Sequence, residues 1–120
     1  VKRTIVIAED ERIAAEDLKA TIEEIGHTVV SIVSTGEEAI EIAAEVKPDL
    51  FFMDIMLSGI IDGIEAARKI TQDHNIPVIF CTAYNDPATI REAATVDAFD
   101  FINKPFQREM VKHTLEHIFS

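Results

Sequence analysis

The chain has 120 residues, 48% of them hydrophobic and 28% charged, a composition expected of one globular domain spanning 1–120 that buries roughly two-thirds of its unfolded surface. Its 22 acids against 11 Lys and Arg leave a formal charge of −11, which argues against direct nucleic-acid binding and favours cations and basic partner surfaces. No apolar run approaches the ~20 residues of a membrane span, so no membrane role is expected. The single cysteine, Cys81, allows no internal disulfide and suits a reducing, cytoplasmic setting.

Apolar β-branched runs alternate with longer helical patterns. Thr4–Ala8 reads as a buried strand, and Ile13, Leu18, Ile22 and Ile25 as the inner face of a helix closed by Gly26. Val29–Val33 reads as a second strand, followed by a turn at Ser34-Thr35-Gly36 and a helix carrying Ala39, Ile42, Ala43 and Val46. Leu50–Met53 is a third strand ending at Asp54, and a loop bracketed by Gly59 and Gly63 leads to a helix with Ile64, Ala67 and Ile70. Val78–Thr82 is the fourth strand. Asp86 and Pro87 read as the N-cap and first residue of the next helix, in the stretch Asn85-Asp86-Pro87. Ala98–Ile102 is expected as a fifth strand and Arg108–Phe119 as the last helix. Continuous apolar strands separated by helices argue for an α/β fold, a doubly wound five-stranded parallel sheet with helices on both faces.

In such sheets ligands bind beyond the carboxyl ends of the strands, where the strand order reverses. In the flavodoxin-like order 2-1-3-4-5 the first and third strands are neighbours, which sets Asp10 against Asp54. Strand one ends in Glu9-Asp10, strand three in Asp54, strand four in Thr82, and Lys104 follows strand five. Three carboxylates, one hydroxyl and one ammonium would then share an edge. Two unit charges ~4 Å apart at an effective dielectric of ~20 repel by about 4 kcal/mol. An oxygen-liganded cation such as Mg²⁺ would relieve that repulsion.

The segments IAEDE, PDLFFMDI, DGIEAA, VIFCTAY and FINKPF, in this order, resemble the receiver domain of two-component response regulators, the CheY-like superfamily. The resemblance implies that Asp54 is a phosphoacceptor taking a phosphoryl group from a phosphohistidine. It implies Mg²⁺ (or Mn²⁺) held by Asp10, Asp54 and the backbone carbonyl of Met56, with Glu9 acting through a water. Lys104 would pair with Asp54 at rest and with the phosphoryl oxygens afterwards. Thr82 and Phe101 would be the switch residues, and Met56, Ala83 and Tyr84 would tune the lifetime of the phosphorylated form. The implied partners are a sensor histidine kinase or phosphotransfer protein and a downstream target or fused output domain. A phosphorylation-dependent homodimer is compatible with the face carrying Arg91, Asp100, Arg108, Lys112 and His113. The domain is expected either free-standing or as part of a longer regulator.

The chain departs from the family pattern after Asp54. The segment Met56–Gly63 lacks the usual proline and is one residue longer, with Gly59 expected to supply the turn. A pseudo-receiver acting only as a protein-interaction module is the nearest alternative. A dehalogenase-like phosphatase would want an acid where Met56 stands, and a flavodoxin-like cofactor binder would want a Ser/Thr/Gly-rich loop where Glu9-Asp10-Glu11 stands. His113-Thr114-Leu115-Glu116-His117 matches a zinc-protease spacing, but a catalytic zinc needs a third ligand. Cys81 is expected to be a small buried hydrophobe pointing away from the site, and His27 and His74 to be surface residues.

Overall fold

The computed structural model describes residues 2–83 and 86–120. Five strands alternate with five helices: β1 (Thr4–Ala8), α1 (Arg12–Ile25), β2 (Thr28–Val33), α2 (Gly36–Val46), β3 (Leu50–Met53), α3 (Gly63–His74), β4 (Val78–Thr82), α4 (Pro87–Ala93), β5 (Asp100–Asn103) and α5 (Arg108–Ile118). The strands form one sheet in the order β2-β1-β3-β4-β5, and every neighbouring pair is parallel. Alternation along the strands splits the core in two. Val6, Ala8, Phe51, Met53 and Phe80 pack under Ala39, Ala67 and Ile70 of α2 and α3. Ile5, Ile7, Phe52, Ile79 and Cys81 pack under Leu18, Ile22, Val111 and Leu115 of α1 and α5. No helix among the described residues is long and apolar enough to cross a membrane.

Local signals account for several helix ends. Thr35 caps α2 by accepting the Glu38 amide, Asp62 caps α3 by accepting the Glu65 amide, and Asp86 caps α4 with Pro87 in its first turn. Gly26 ends α1, its amide donating to the Ile22 and Glu23 carbonyls.

Four sequence expectations are corrected. Ile13 is 74% exposed, because it lies roughly 140° around the helix from Leu18; Ala15 takes the inner face instead. Val46, at the end of α2, is also exposed. The fifth strand begins at Asp100, opposite Ile79, two residues later than expected, since the Ala98 amide is turned back to the Val96 carbonyl. His27 is half-buried: its Nδ1 accepts the Arg3 amide at 3.0 Å, and its ring lies 5.4 Å from that of Phe119.

Candidate acidic site at the carboxyl edge of the sheet

The backbone ladder runs past the strand ends and carries the polar residues with it. The Glu9 amide donates to Val33, the Asp54 amide to Ala8 and the Lys104 amide to Thr82, each at 2.9 Å. Glu9, Asp10, Asp54, Thr82 and Lys104 are therefore placed at one edge by main-chain bonds. Gly63 lets the next helix start tight against this edge, because a Cβ there would sit 1.9 Å from the Asp54 carbonyl oxygen.

Glu9 and Asp54 are 7% and 8% exposed. Lys104 Nζ donates to Asp54 Oδ2 at 3.1 Å and also to Glu9 Oε1. The second Asp54 oxygen accepts the Met56 amide at 3.1 Å, and the second Glu9 oxygen accepts the Glu11 amide at 3.1 Å. One ammonium thus serves two buried carboxylates. Burial pushes the Glu9 carboxyl above its ordinary range, against the opposing pull of the Lys104 hydrogen bond. Burial alone would lower Lys104, but its bond to Glu9 and the charges of Asp54 and Glu9 outweigh it and hold the ammonium more tightly than usual. The two directions have different leading causes, burial for Glu9 and the two carboxylates for Lys104.

Asp10 belongs to the same cluster but faces water. Its Oδ2 accepts the Ser58 hydroxyl at 3.0 Å. Glu9, Asp10 and Asp54 each bring a carboxylate oxygen within 4.8 Å of the others, the only such metal-capable trio among the described residues. An all-oxygen set with uncompensated charge fits a hard divalent cation and not a thiolate-seeking one.

Thr82 is fully buried, Ala83 is exposed, and Phe101 is half-buried with its ring 6.2 Å from that of Phe80. Met56 is 49% exposed. Tyr84 and Asn85 lie outside the described residues. Cys81 is buried on the α1–α5 side, and burial pushes its thiol up to about 12. His113 and His117 are exposed on α5, and among the described residues no third ligand joins them; His117 instead lies against Phe99. Arg108 is drawn from the α4–β5–α5 face into an ion pair with Glu24 of α1, at 2.9 Å.

The Lys104–Glu9 and Ser58–Asp10 contacts were not anticipated. They join residues 95 and 48 positions apart, and no local pattern announces either. The T-G-E-E pattern at Thr35–Glu38 is a local capping signal, but it concerns the helix start and not the site.

The sequence model of the response regulator receiver domain matches residues 5–116. The chain belongs to this family. It is 35% identical over 106 residues to the transcriptional regulatory protein PdtaR of Mycobacterium tuberculosis, a match covering 88% of this chain and 51% of that protein. The chain thus spans about half the length of that curated relative. Among solved structures, the signal receiver domain of a modulated diguanylate cyclase from Desulfovibrio desulfuricans superposes with a TM-score of 0.92 at 33% identity, covering 98% of this chain and 93% of that one. The receiver domain of the sensor histidine kinase PA1611 from Pseudomonas aeruginosa superposes with a TM-score of 0.89 at 25% identity, covering each chain fully, and holds a magnesium ion in its active-site cleft. The fold and strand order expected from sequence are those of receiver domains.

Proposed function

We propose that this receiver accepts a phosphoryl group on Asp54 from the phosphohistidine of a sensor histidine kinase or phosphotransfer protein, and that 1–120 is a single receiver domain. The observation that carries the reading is the setting of Asp54: a buried carboxylate bonded to Lys104, with Glu9 and Asp10 oxygens within 4.8 Å. An Asp54 oxygen would bond to phosphorus as the bond from phosphorus to the imidazole nitrogen breaks, and the imidazole leaves. Such transfer asks the protein for positioning and charge neutralisation more than for covalent chemistry. Lys104 supplies one positive charge, and a bound Mg²⁺ or Mn²⁺ would supply the rest. The residues that would hold it are Asp10, Asp54 and the Met56 carbonyl, with Glu9 through a water; the magnesium in the Pseudomonas receiver supports this reading.

A cavity of about 370 Å³ opens beside Asp54 toward α1, lined by Leu18, Phe52, Phe106 and Lys104 among others, and leaves the carboxylate reachable from that side. After transfer, the added charge and acceptor oxygens would draw in Thr82, with Phe101 following, and change the α4–β5–α5 face. That face would then meet a downstream protein, a fused output domain or a second copy. Met56, Ala83 and Tyr84 would set the lifetime. If Met56 shields the phosphoryl group, Met56→Asn together with Tyr84→Ala speeds phosphate loss.

The test is intact mass after incubation with acetyl phosphate and Mg²⁺. A gain of one phosphoryl group in the parent, absent in Asp54→Asn and without the metal, is the expected result. No gain under any condition would leave the domain a pseudo-receiver.

A further inference from the structure

The connection between β3 and α3, residues 54–62, carries no proline, yet its Met56 amide donates to Asp54 and its Ser58 hydroxyl to Asp10. Ordering each residue of a free loop costs ~1–2 kcal/mol, so a defined path needs tethers from outside. The structure shows them on one neighbour, the start of α2. The Glu37 carboxylate accepts the Ile61 amide through Oε1 at 3.0 Å and the Ile60 amide through Oε2 at 3.3 Å. The Ser58 amide donates to the Ser34 carbonyl at 3.2 Å, and Ser58 pairs with Thr35 in an isolated parallel bridge.

Shape agrees with the hydrogen bonds. Gly59 has φ +94°, and a Cβ there would lie 2.9 Å from both Glu37 carboxylate oxygens. Gly36 is equally confined, since its Cβ would stand 2.3 Å from the Ile61 carbonyl oxygen. Glu37 sits in the first turn of α2, where the helix dipole favours a negative charge. The Ile61 and Ile60 hydrogen bonds hold its carboxyl below the usual range.

We propose that Glu37 is a positioning residue for the acidic site, clasping the proline-free β3–α3 loop by two backbone amides so that Met56 and Ser58 are held beside Asp10 and Asp54. The inference rests on the metal-dependent reading above. It makes α2 a mechanical neighbour of the site: whatever moves the start of α2 changes how well the loop presents its ligand groups.

Two measurements on the whole chain test it. The first is backbone amide hydrogen exchange without metal. Ile60 and Ile61 should be protected in the parent and lose about tenfold of that protection in both Glu37→Ala and Gly59→Ala. The second is Mg²⁺ binding by calorimetry. Both variants should weaken binding by about tenfold, the scale seen when supporting partners of a metal site are removed. Gly59→Ala keeps every charge, so equal weakening separates the clasp from simple loss of a carboxylate. Glu41→Gln, an exposed charge change elsewhere on α2, should leave binding near the parent value. Because both variants break one clasp, the double variant should be no weaker than either single one.

Unchanged exchange at Ile60 and Ile61 overturns the proposal, as does additive weakening or equal weakening by Glu41→Gln. Glu37→Gln, which keeps one carbonyl acceptor and turns the other into a donor, stands in if Glu37→Ala fails to fold, and should fall between parent and Gly59→Ala. A parent that binds no Mg²⁺ while Ile60 and Ile61 stay protected overturns the metal reading and with it this role, but not the clasp.

Discussion

The two ends of the sheet are built from the same five strands, yet they treat polar groups in opposite ways. At the amino end, the strand-end groups of Thr4 and Asp49 and the Arg3 amide have internal partners, and only the buried Arg3 Nε lacks one among the described residues. Asp49 Oδ2 accepts both the amide and the hydroxyl of Thr4, at 2.9 and 3.1 Å, and His27 accepts the Arg3 amide while the Arg3 guanidinium lies over the Phe119 ring. At the carboxyl edge, Glu9, Asp10 and Asp54 meet one ammonium. One end is closed and structural. The other holds charge in excess, which burial makes costly unless a cation or a proton offsets it.

That contrast can be broken, and the largest expected effect is at Lys104. Lys104→Ala leaves Glu9 and Asp54 buried without their cation and should cost about 2–3 kcal/mol in urea unfolding at pH 7, somewhat less than a fully enclosed pair because the ammonium is 22% exposed. A variant as stable as the parent would mean that the two acids shed their charge or their burial at little cost.

Next comes the closed end. Asp49→Ala orphans two Thr4 donors and should lower stability by about 1–2 kcal/mol by the same assay, with no effect on phosphoryl uptake. Loss of uptake would show that the two ends are coupled.

Metal addition should act on one end alone. Mg²⁺ at ten times its Kd should raise parent stability by about 1.4 kcal/mol and do nothing for Asp54→Asn. A matching gain in the variant would place the ion elsewhere.

The smallest effect is a pair of opposed pH dependences. The Glu9 carboxyl is raised in the folded state, so the folded protein binds the extra proton and stability falls as pH rises from the ordinary carboxylate value of 4.5 through the raised one. His27 is lowered, by burial first and then by neighbouring cations including Arg3, so its share of stability is present above 6.5 and lost as pH falls through the lowered value. Thermal midpoints across pH 4–7.5 for Glu9→Gln and His27→Gln should show the parent's slope altered in opposite senses.

Most of the fold was legible because its signals are local or periodic. Asp86 and Pro87 mark a helix start within one turn, and runs such as Leu50–Met53 and Val78–Thr82, bounded by turn residues, read as strands covered on both faces. Ile13 misled because a single apolar residue carries no phase; only Ala15, Leu18 and Ile22 together define the face. The fifth strand was misplaced because Ala98 is as apolar as a strand residue but spends its amide on a turn.

The sequence by itself determined which residues would stand at the carboxyl edge, since a parallel strand order and the ends of the strands are enough to bring Glu9, Asp10, Asp54, Thr82 and Lys104 together. Only the tertiary structure decided how they share charge and what holds the loop beside them. Lys104 reaches Glu9 as well as Asp54, Ser58 reaches Asp10, and Glu37 reaches Ile60 and Ile61. Each of these contacts joins side chains or loop amides from elements far apart in the chain, and their geometry depends on how helices and loops settle on the sheet, which no spacing of residues along the chain encodes.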